Sequence, residues 1–261
     1  MSSEVETSLE ISGSRRIPRF LGSARNDKTP QPTRLLFADL TIYHDESPHS
    51  AAMNMAIDEA LLETAVVPTI RFYRWRSPAL SFGYFGKFSD VAIYATEREL
   101  VRRWTGGGIV FHGDDLTYSI VIPESDPVFV ESSIVIYEKI HRALCAALVG
   151  YDRGAELVTV ADHPRSGDRG AFENECFANP VRADVMMDGR KIAGAAQRRT
   201  RRGLLQQGSI QGTAMKTDLA QKFAQALSAS RSEFKITKAI SKQAQDVAQQ
   251  KYGTESWLHK R

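Results

Sequence analysis

Arg102 to Ser119 reads RRWTGGGIVFHGDDLTYS, centred on three consecutive glycines, Gly106, Gly107 and Gly108. None has a Cβ, so the backbone there can turn sharply and approach a ligand closely. Ile109 to Phe111 is a short β-type run, followed by His112 and Gly113. Asp114-Asp115 marks a turn, and Leu116 to Pro123 predicts a buried strand leading away. A glycine turn between strands, with Arg102 and Arg103 before it and a histidine after it, suits a cradle for a long thin ligand. A plain hairpin or bulge uses glycines in the same way.

Upstream, Leu35 to Tyr43 predicts a strand, and Ser50 caps a helix to about Thr64 with Met53, Ile57, Ala60 and Leu61 on one face. Pro68 breaks that helix. Thr69 to Trp75 alternates as a strand, Ser77-Pro78 turns, and Ala79 to Tyr84 is another strand. Ser89 or Asp90 starts a helix to about Leu100. Downstream, Ser132 or Ser133 caps a helix with Ile134, Tyr137, Ile140, Leu144 and Leu148 inward and Gly150 as its stop. Glu156 to Val160 is a short strand. Asp162 to Glu175 has no period and reads as a surface loop ending at Cys176-Phe177. Arg182 to Met187 alternates as a strand, Asp188-Gly189 is a two-residue hairpin turn, and the return strand runs from Arg190 through Gln197. Leu204 to Ile210 forms a further strand. Amphipathic helices follow over about Thr217 to Ala229 and about Thr237 to Tyr252. The mixture of strands, hairpins and helices indicates an α+β fold, a mixed β-sheet covered by helices.

The chain has 261 residues, 42% hydrophobic and 25% charged, the composition of an ordinary globular protein. No apolar run approaches a membrane-spanning length. A net charge of +3 implies no nucleic acid and is compatible with an acidic protein partner. Two cysteines, Cys145 and Cys176, exclude a disulfide framework, and no histidine pair has metal-ligand spacing. Residues 1–33 are polar and rich in Ser, Arg and Pro, which predicts a mobile extension before a single domain over 34–261. The head has no apolar signal-peptide core, and its glutamates oppose an organelle transit sequence, so a cytoplasmic location is expected.

Several stretches jointly resemble the lipoate/biotin protein ligase superfamily: MNMAIDEALL (Met53 to Leu62), SPALSFGYF (Ser77 to Phe85), the glycine stretch, GRKIAGAAQRR (Gly189 to Arg199), LLQQGSI (Leu204 to Ile210) and KYGTESWLHKR at the end. The resemblance covers roughly Leu35 to Arg261. It implies a catalytic domain like that of class II synthetases and biotin protein ligases, moving lipoyl, octanoyl or biotinyl groups onto a carrier lysine. Within the family the chain is most similar to LipM-type octanoyltransferases, because Cys176-Phe177 sits where that branch keeps its nucleophile. By resemblance, octanoate comes from octanoyl acyl carrier protein, rests on Cys176 as a thioester, and passes to the lysine of a lipoyl-carrier domain. The carrier would be glycine cleavage H protein or a 2-oxoacid dehydrogenase E2.

The resemblance makes Cys176 and Lys191 catalytic, with Lys191 pointing into the site at the acyl carbonyl. Arg103, Thr105, Gly106, Gly107, Gly108 and His112 would bind substrate, with Gly194, Ala195, Gln197 and Gly208 beside them. On residue type alone, Cys176 is as readily a small buried hydrophobe and Lys191 an exposed hairpin lysine. Cys145, within a strong apolar period, reads as packing. Arg198, Arg199, Arg201 and Arg202 form a basic turn, either a solvated hairpin tip or a dock for an acidic carrier. Two positions depart from the branch: Gly108 replaces an arginine, giving the ligase-like GGG, and Gln207 replaces a histidine. The transferase needs no cofactor or metal. An ATP- and Mg-dependent lipoate ligase, working through an acyl-adenylate, is the alternative. A non-catalytic protein that only binds acylated carriers is the third reading.

Overall fold

The computed structural model describes residues 35–149, 154–158, 181–212 and 218–260. The expected extension over 1–33, the loop Asp162 to Glu175, and Cys176 lie outside the described residues. The chain from Leu35 onward groups into one compact unit.

Eleven strands are described: β1 (Asp39–His44), β2 (Thr69–Tyr73), β3 (Ala79–Phe82), β4 (Glu99–Arg102), β5 (Val110–His112), β6 (Leu116–Pro123), β7 (Ala155–Leu157), β8 (Val185–Met187), β9 (Arg190–Arg199), β10 (Gly203–Ile210) and β11 (Ser230–Phe234). Five helices accompany them: α1 (Ala51–Thr64), α2 (Ser133–Ala147), α3 (Leu219–Leu227), α4 (Lys238–Val247) and α5 (Glu255–Leu258). The main sheet runs β11-β1-β2-β6-β10-β9-β8-β7, and a smaller one runs β4-β3-β5. In the main sheet β1 is parallel to both β2 and β11, and the other pairs are antiparallel, which is the mixed sheet expected.

Alternation along the central strands sends side chains into two layers. Tyr118, Ile120 and Ile122 of β6 join Ile70, Phe72 and Leu204 against α2 and α3. Val121, Tyr73 and Leu205 face the other way, onto α1 and α4. Leu219, Phe223 and Leu227 recur every four residues on α3 and are all buried. Each such side chain contributes about 1.5–3 kcal/mol by leaving water.

Ser50 caps α1 by accepting a hydrogen bond from the Met53 backbone N–H at 3.3 Å. Because α1 lies between the sheet and α4, even its polar Asn54 and Asp58 are buried. Arg71 of β2 reaches between them, donating to Asp58 Oδ1 at 2.8 Å and to Asn54 Oδ1 at 2.7 Å. Ser132 caps α2 as expected, and Thr237 caps α4. The Asp188-Gly189 hairpin has φ of +51° and +70°, the left-handed pair that a tight two-residue turn requires.

Three expectations are corrected. The helix from Ser89 or Asp90 to Leu100 is instead two short 3-10 turns (Phe88–Asp90 and Ala92–Tyr94), and Glu99 onward pairs with β3 as a strand. Ile134 is exposed, because the buried face of α2 runs through Ile136, Tyr137, Ile140 and Leu144. β1 begins at Asp39 rather than Leu35. β11 and α5 were not anticipated. Strand Ser230–Phe234 is exposed at every residue, so it carries no apolar alternation.

α5 is tied back to the glycine stretch. Arg102 donates from Nε to Trp257 O at 3.0 Å and from Nη2 to Leu258 O at 2.9 Å, while its Nη1 reaches Tyr84 O and Gly86 O. The Trp257 indole N–H returns a bond to Arg102 O at 3.0 Å. Among the described residues no helix is long and apolar enough to cross a membrane.

Candidate active site

The glycine stretch bridges the two sheets, running from β4 through the loop into β5 and then β6. Where it meets β9 and β10 there is a cleft with about 390 Å³ of unfilled space, part of it open to solvent. Met55, Tyr73, Trp75 and Val110 give it an apolar wall, and Gly194, Ala195 and Ala196 of β9 a narrow strip without bulk.

The loop is built by close backbone approach. Gly107 has φ +84°, a conformation that disfavours any side chain. A Cβ on Gly83, at the end of β3, would fall 2.0 Å from Gly107 O, so the two chains touch only because Gly83 has none. Arg103 clamps the loop from within, donating to Gly106 O at 3.1 Å and Gly108 O at 2.7 Å.

Of the residues expected to bind substrate, Arg103, Gly107, His112, Gly194, Ala195 and Gly208 line the cleft. Four other anticipated residues do not line it. Thr105 is fully buried behind the wall and donates to Gln207 Oε1 at 2.8 Å. Gly106 and Gly108 turn their carbonyls to Arg103. Gln197 pairs across the sheet with Gln206, donating to its Oε1 at 2.7 Å. The period of two places that pair on the face opposite Gln207 and Ser209.

Lys191 is neither an exposed hairpin lysine nor a wall residue of the cleft. Its side chain crosses the place a Gly194 side chain would occupy, with Cε 2.6 Å and Nζ 2.8 Å from that position. Its Nζ lies 2.6 Å from Asp184 Oδ2, with 1% and 0% of the two side chains exposed. Ala183, held at φ +66°, turns the backbone that presents Asp184. Asp184 also accepts from the Val181 N–H at 2.7 Å and from the Tyr137 hydroxyl. Burial, together with the Asp184 charge, pushes the Tyr137 hydroxyl pKa far above its ordinary value, so it stays a donor. It in turn accepts from the Ala195 N–H at 3.0 Å, which ties this buried group to the cleft strip.

A second polar group lies at the glycine loop. His112 Nδ1 is 2.8 Å from Asp115 Oδ2, and His112 Nε2 is 2.7 Å from Ser81 Oγ. The ring stacks on Trp75 with centroids 4.0 Å apart. Arg103 Nη1 donates to Ser81 Oγ at 2.6 Å. Burial lowers the His112 pKa, with Asp115 opposing the shift. Burial alone would raise Asp115, but hydrogen bonds from His112 and Ser209 outweigh it and hold the carboxyl below its usual value.

Asp184, Tyr137, Ser81 and Asp115 were missed as site residues. Only the spacing His112 to Asp115, three residues across a turn, signals one of them in the sequence. The basic turn is also less free than expected. Arg199 donates to Phe129 O and Glu131 O, and Arg198 lies over the Tyr84 and Trp104 rings. Cys145 packs half-buried against the core, as expected.

Residues 50–251 match the family model of the lipoyl protein ligase A/B catalytic domain. An octanoyltransferase LipM of Oceanobacillus iheyensis is 41% identical over 175 residues, covering 64% of this chain and 62% of that one. A LipM of Brevibacillus brevis is 36% identical over 170 residues, 62% of each chain. The match thus spans under two thirds of these relatives' length. Among solved structures, lipoate-protein ligase A bound with ATP superposes with TM-score 0.65 at 21% identity, covering 85% of this chain and 98% of that chain. A bi-partite lipoate protein ligase of Thermoplasma acidophilum gives 0.59 at 19% identity, covering 86% and 96%. At those identities the two structures establish the fold, which agrees with the expected architecture.

Proposed function

This chain belongs to the lipoyl protein ligase A/B catalytic domain family, and from that membership we propose that it is an octanoyltransferase. It takes an octanoyl group from acyl carrier protein, holds it on Cys176, and delivers it to a lysine of a lipoyl-carrier protein such as glycine cleavage H protein. The observation that carries the reading is a narrow, mostly apolar cleft whose Gly194 floor lies directly against the shielded ammonium of Lys191. The 36–41% identity to octanoyltransferases supports it.

In the first step the Cys176 thiolate attacks the thioester carbonyl carbon. A new C–S bond forms, and the carrier thiolate leaves and takes up a proton. One thioester replaces another, so no nucleotide is consumed. In the second step the neutral amine of the carrier lysine attacks the acyl carbon, the C–N bond forms as the C–S bond breaks, the proton shed by the amine passes to solvent, and the Cys176 thiolate is released. Lys191 supplies a fixed positive charge as the carbonyl oxygen becomes negative. Asp184 and Tyr137 hold that charge in place. Ala195 and Ala196 leave the acyl chain room along β9.

The test is intact mass after mixing the protein with octanoyl acyl carrier protein without ATP, for wild type and Cys176→Ala. The expected result is one octanoyl adduct that needs Cys176 and that a lipoyl-carrier domain discharges. Acceptor modification only when ATP and free acid are supplied would overturn the reading in favour of the ligase to which Gly108 points.

A further inference from the structure

Octanoyl transfer through Cys176 leaves one reactive group in the cleft unused. Ser81, on β3, and His112, at the end of β5, both line the cleft, and Asp115 stands behind them. We infer that Ser81 is a second nucleophile, with His112 as its base and Asp115 orienting the ring, and that the protein hydrolyses medium-chain acyl esters or thioesters without Cys176. The acyl chain is taken from the reading above, but the chemistry needs neither Cys176 nor Lys191.

The hydrogen bonds place each proton in turn. An ionised carboxylate only accepts, and Asp115 collects bonds from Thr117 Oγ1 at 2.8 Å, Ser209 Oγ at 2.7 Å and the Gly113 N–H at 3.1 Å as well as from His112. His112 Nδ1 therefore carries its hydrogen. Burial keeps the ring neutral, which leaves Nε2 as an acceptor. Ser81 Oγ already accepts from Arg103 Nη1, so its own hydrogen points at His112 Nε2, 2.7 Å away. The chain runs from Ser81 to His112 to Asp115, the direction general-base activation needs. Stacking on Trp75 fixes the ring, and the Arg103 guanidinium puts positive charge beside the reacting oxygen. Ser81, His112 and Asp115 are 1%, 4% and 4% exposed, so bulk water screens none of these interactions.

The reaction has two balanced steps. The Ser81 hydroxyl proton passes to His112 Nε2 as Oγ bonds to the acyl carbon. The C–O or C–S bond of the substrate breaks, and His112 returns the proton to the leaving alkoxide or thiolate. Water then attacks the seryl ester and gives a proton to His112. The acid leaves, and Ser81 regains its hydrogen. The sum is ester or thioester plus water giving acid plus alcohol or thiol.

The test uses the full chain with p-nitrophenyl octanoate and, separately, an octyl fluorophosphonate that phosphonylates activated serines. Hydrolysis is read in a Cys176→Ala background, so a cysteine pathway cannot contribute. The expected result is p-nitrophenolate release that falls roughly a hundredfold or more when Ser81→Ala is added. Peptide mapping of the wild-type protein should find the phosphonate on Ser81, a readout that needs no variant to fold. No label on Ser81, or unchanged hydrolysis without its hydroxyl, overturns the inference. A purely structural hydroxyl would stabilise the loop and take no label. Failure of the transferase reading is seen separately, as octanoyl transfer to a carrier persisting in Cys176→Ala.

Discussion

The Lys191 ammonium lies 2.6 Å from Asp184 Oδ2, with both side chains closed to solvent. A charge pair so placed tolerates the loss of one member poorly, because the survivor keeps its desolvation cost without its partner.

Asp184→Ala is therefore expected to destabilise the protein by about 3–5 kcal/mol, seen as a lower urea midpoint. Adding Lys191→Met to that variant should restore a large part of the loss, since the unpaired ammonium is then gone. Lys191→Met also removes the positive charge proposed to stabilise the carbonyl oxygen, so octanoyl transfer should fall by roughly a hundredfold or more even where folding is recovered. A midpoint equal to wild type in Asp184→Ala would show that the pair is solvated.

The glycines of the loop should differ in tolerance. Gly83→Ala drives a methyl against backbone at Gly107 O, which cannot yield as a side chain would. A loss of about 1–3 kcal/mol and a weakened cleft are expected. Gly107→Ala must hold φ +84° and should cost about 1–2 kcal/mol. A methyl on Gly106 meets nothing within 4 Å, so Gly106→Ala should fold like wild type. Thermal melts of the three variants give the order directly.

Burial pushes the His141 pKa down to about 4. The ring bonds to Ala183 O and to the Tyr118 hydroxyl. Unfolding frees the ring to bind a proton near its ordinary value of about 6.5. The unfolded state then holds more protons between those limits, so the stabilisation is complete above about pH 6.5 and is lost as pH falls toward 4. The loss is on the order of 3 kcal/mol. Urea titrations at pH 7 and pH 4.5 should show it, and His141→Gln should flatten the difference. An unchanged pH slope in that variant would place the titrating group elsewhere.

The two cysteines should react differently. Burial raises the Cys145 thiol to about 11, so almost none is thiolate at neutral pH. Iodoacetamide at pH 7.5 should leave Cys145 unmodified in the native protein and label Cys176. Peptide mapping that finds the label on Cys145 would contradict the packing described for α2.

The sequence carried those parts of this fold whose signals are local. Ser50 before α1, the alternation of Leu116–Pro123 and the Asp188-Gly189 turn each depend on residues a few positions apart. β11 has no such signal, because its five exposed residues are held by register with β1, Asp39 opposite Ser230. The stretch from Ser89 or Asp90 to about Leu100 looked helical because caps begin it, yet the pairing of Glu99 and Leu100 with β3 decides the state of its end. In the site, Arg103, Gly107 and His112 were legible from one stretch. Asp184 and Ser81 were not, since a buried acid or hydroxyl gains meaning only from distant partners. Tyr137 is 47 positions from Asp184, and His112 is 31 from Ser81.

Arg102 binds carbonyls that lie 155 and 156 positions further along the chain. During synthesis, at roughly 5–20 residues per second, those carbonyls emerge on the order of ten seconds after Arg102 itself. Throughout that interval the strand leading into the glycine loop has one of its fixing contacts missing. A newborn chain can thus form most of its sheet early, but Arg102 gains its full set of carbonyl partners only once Leu258 has been made and folded back.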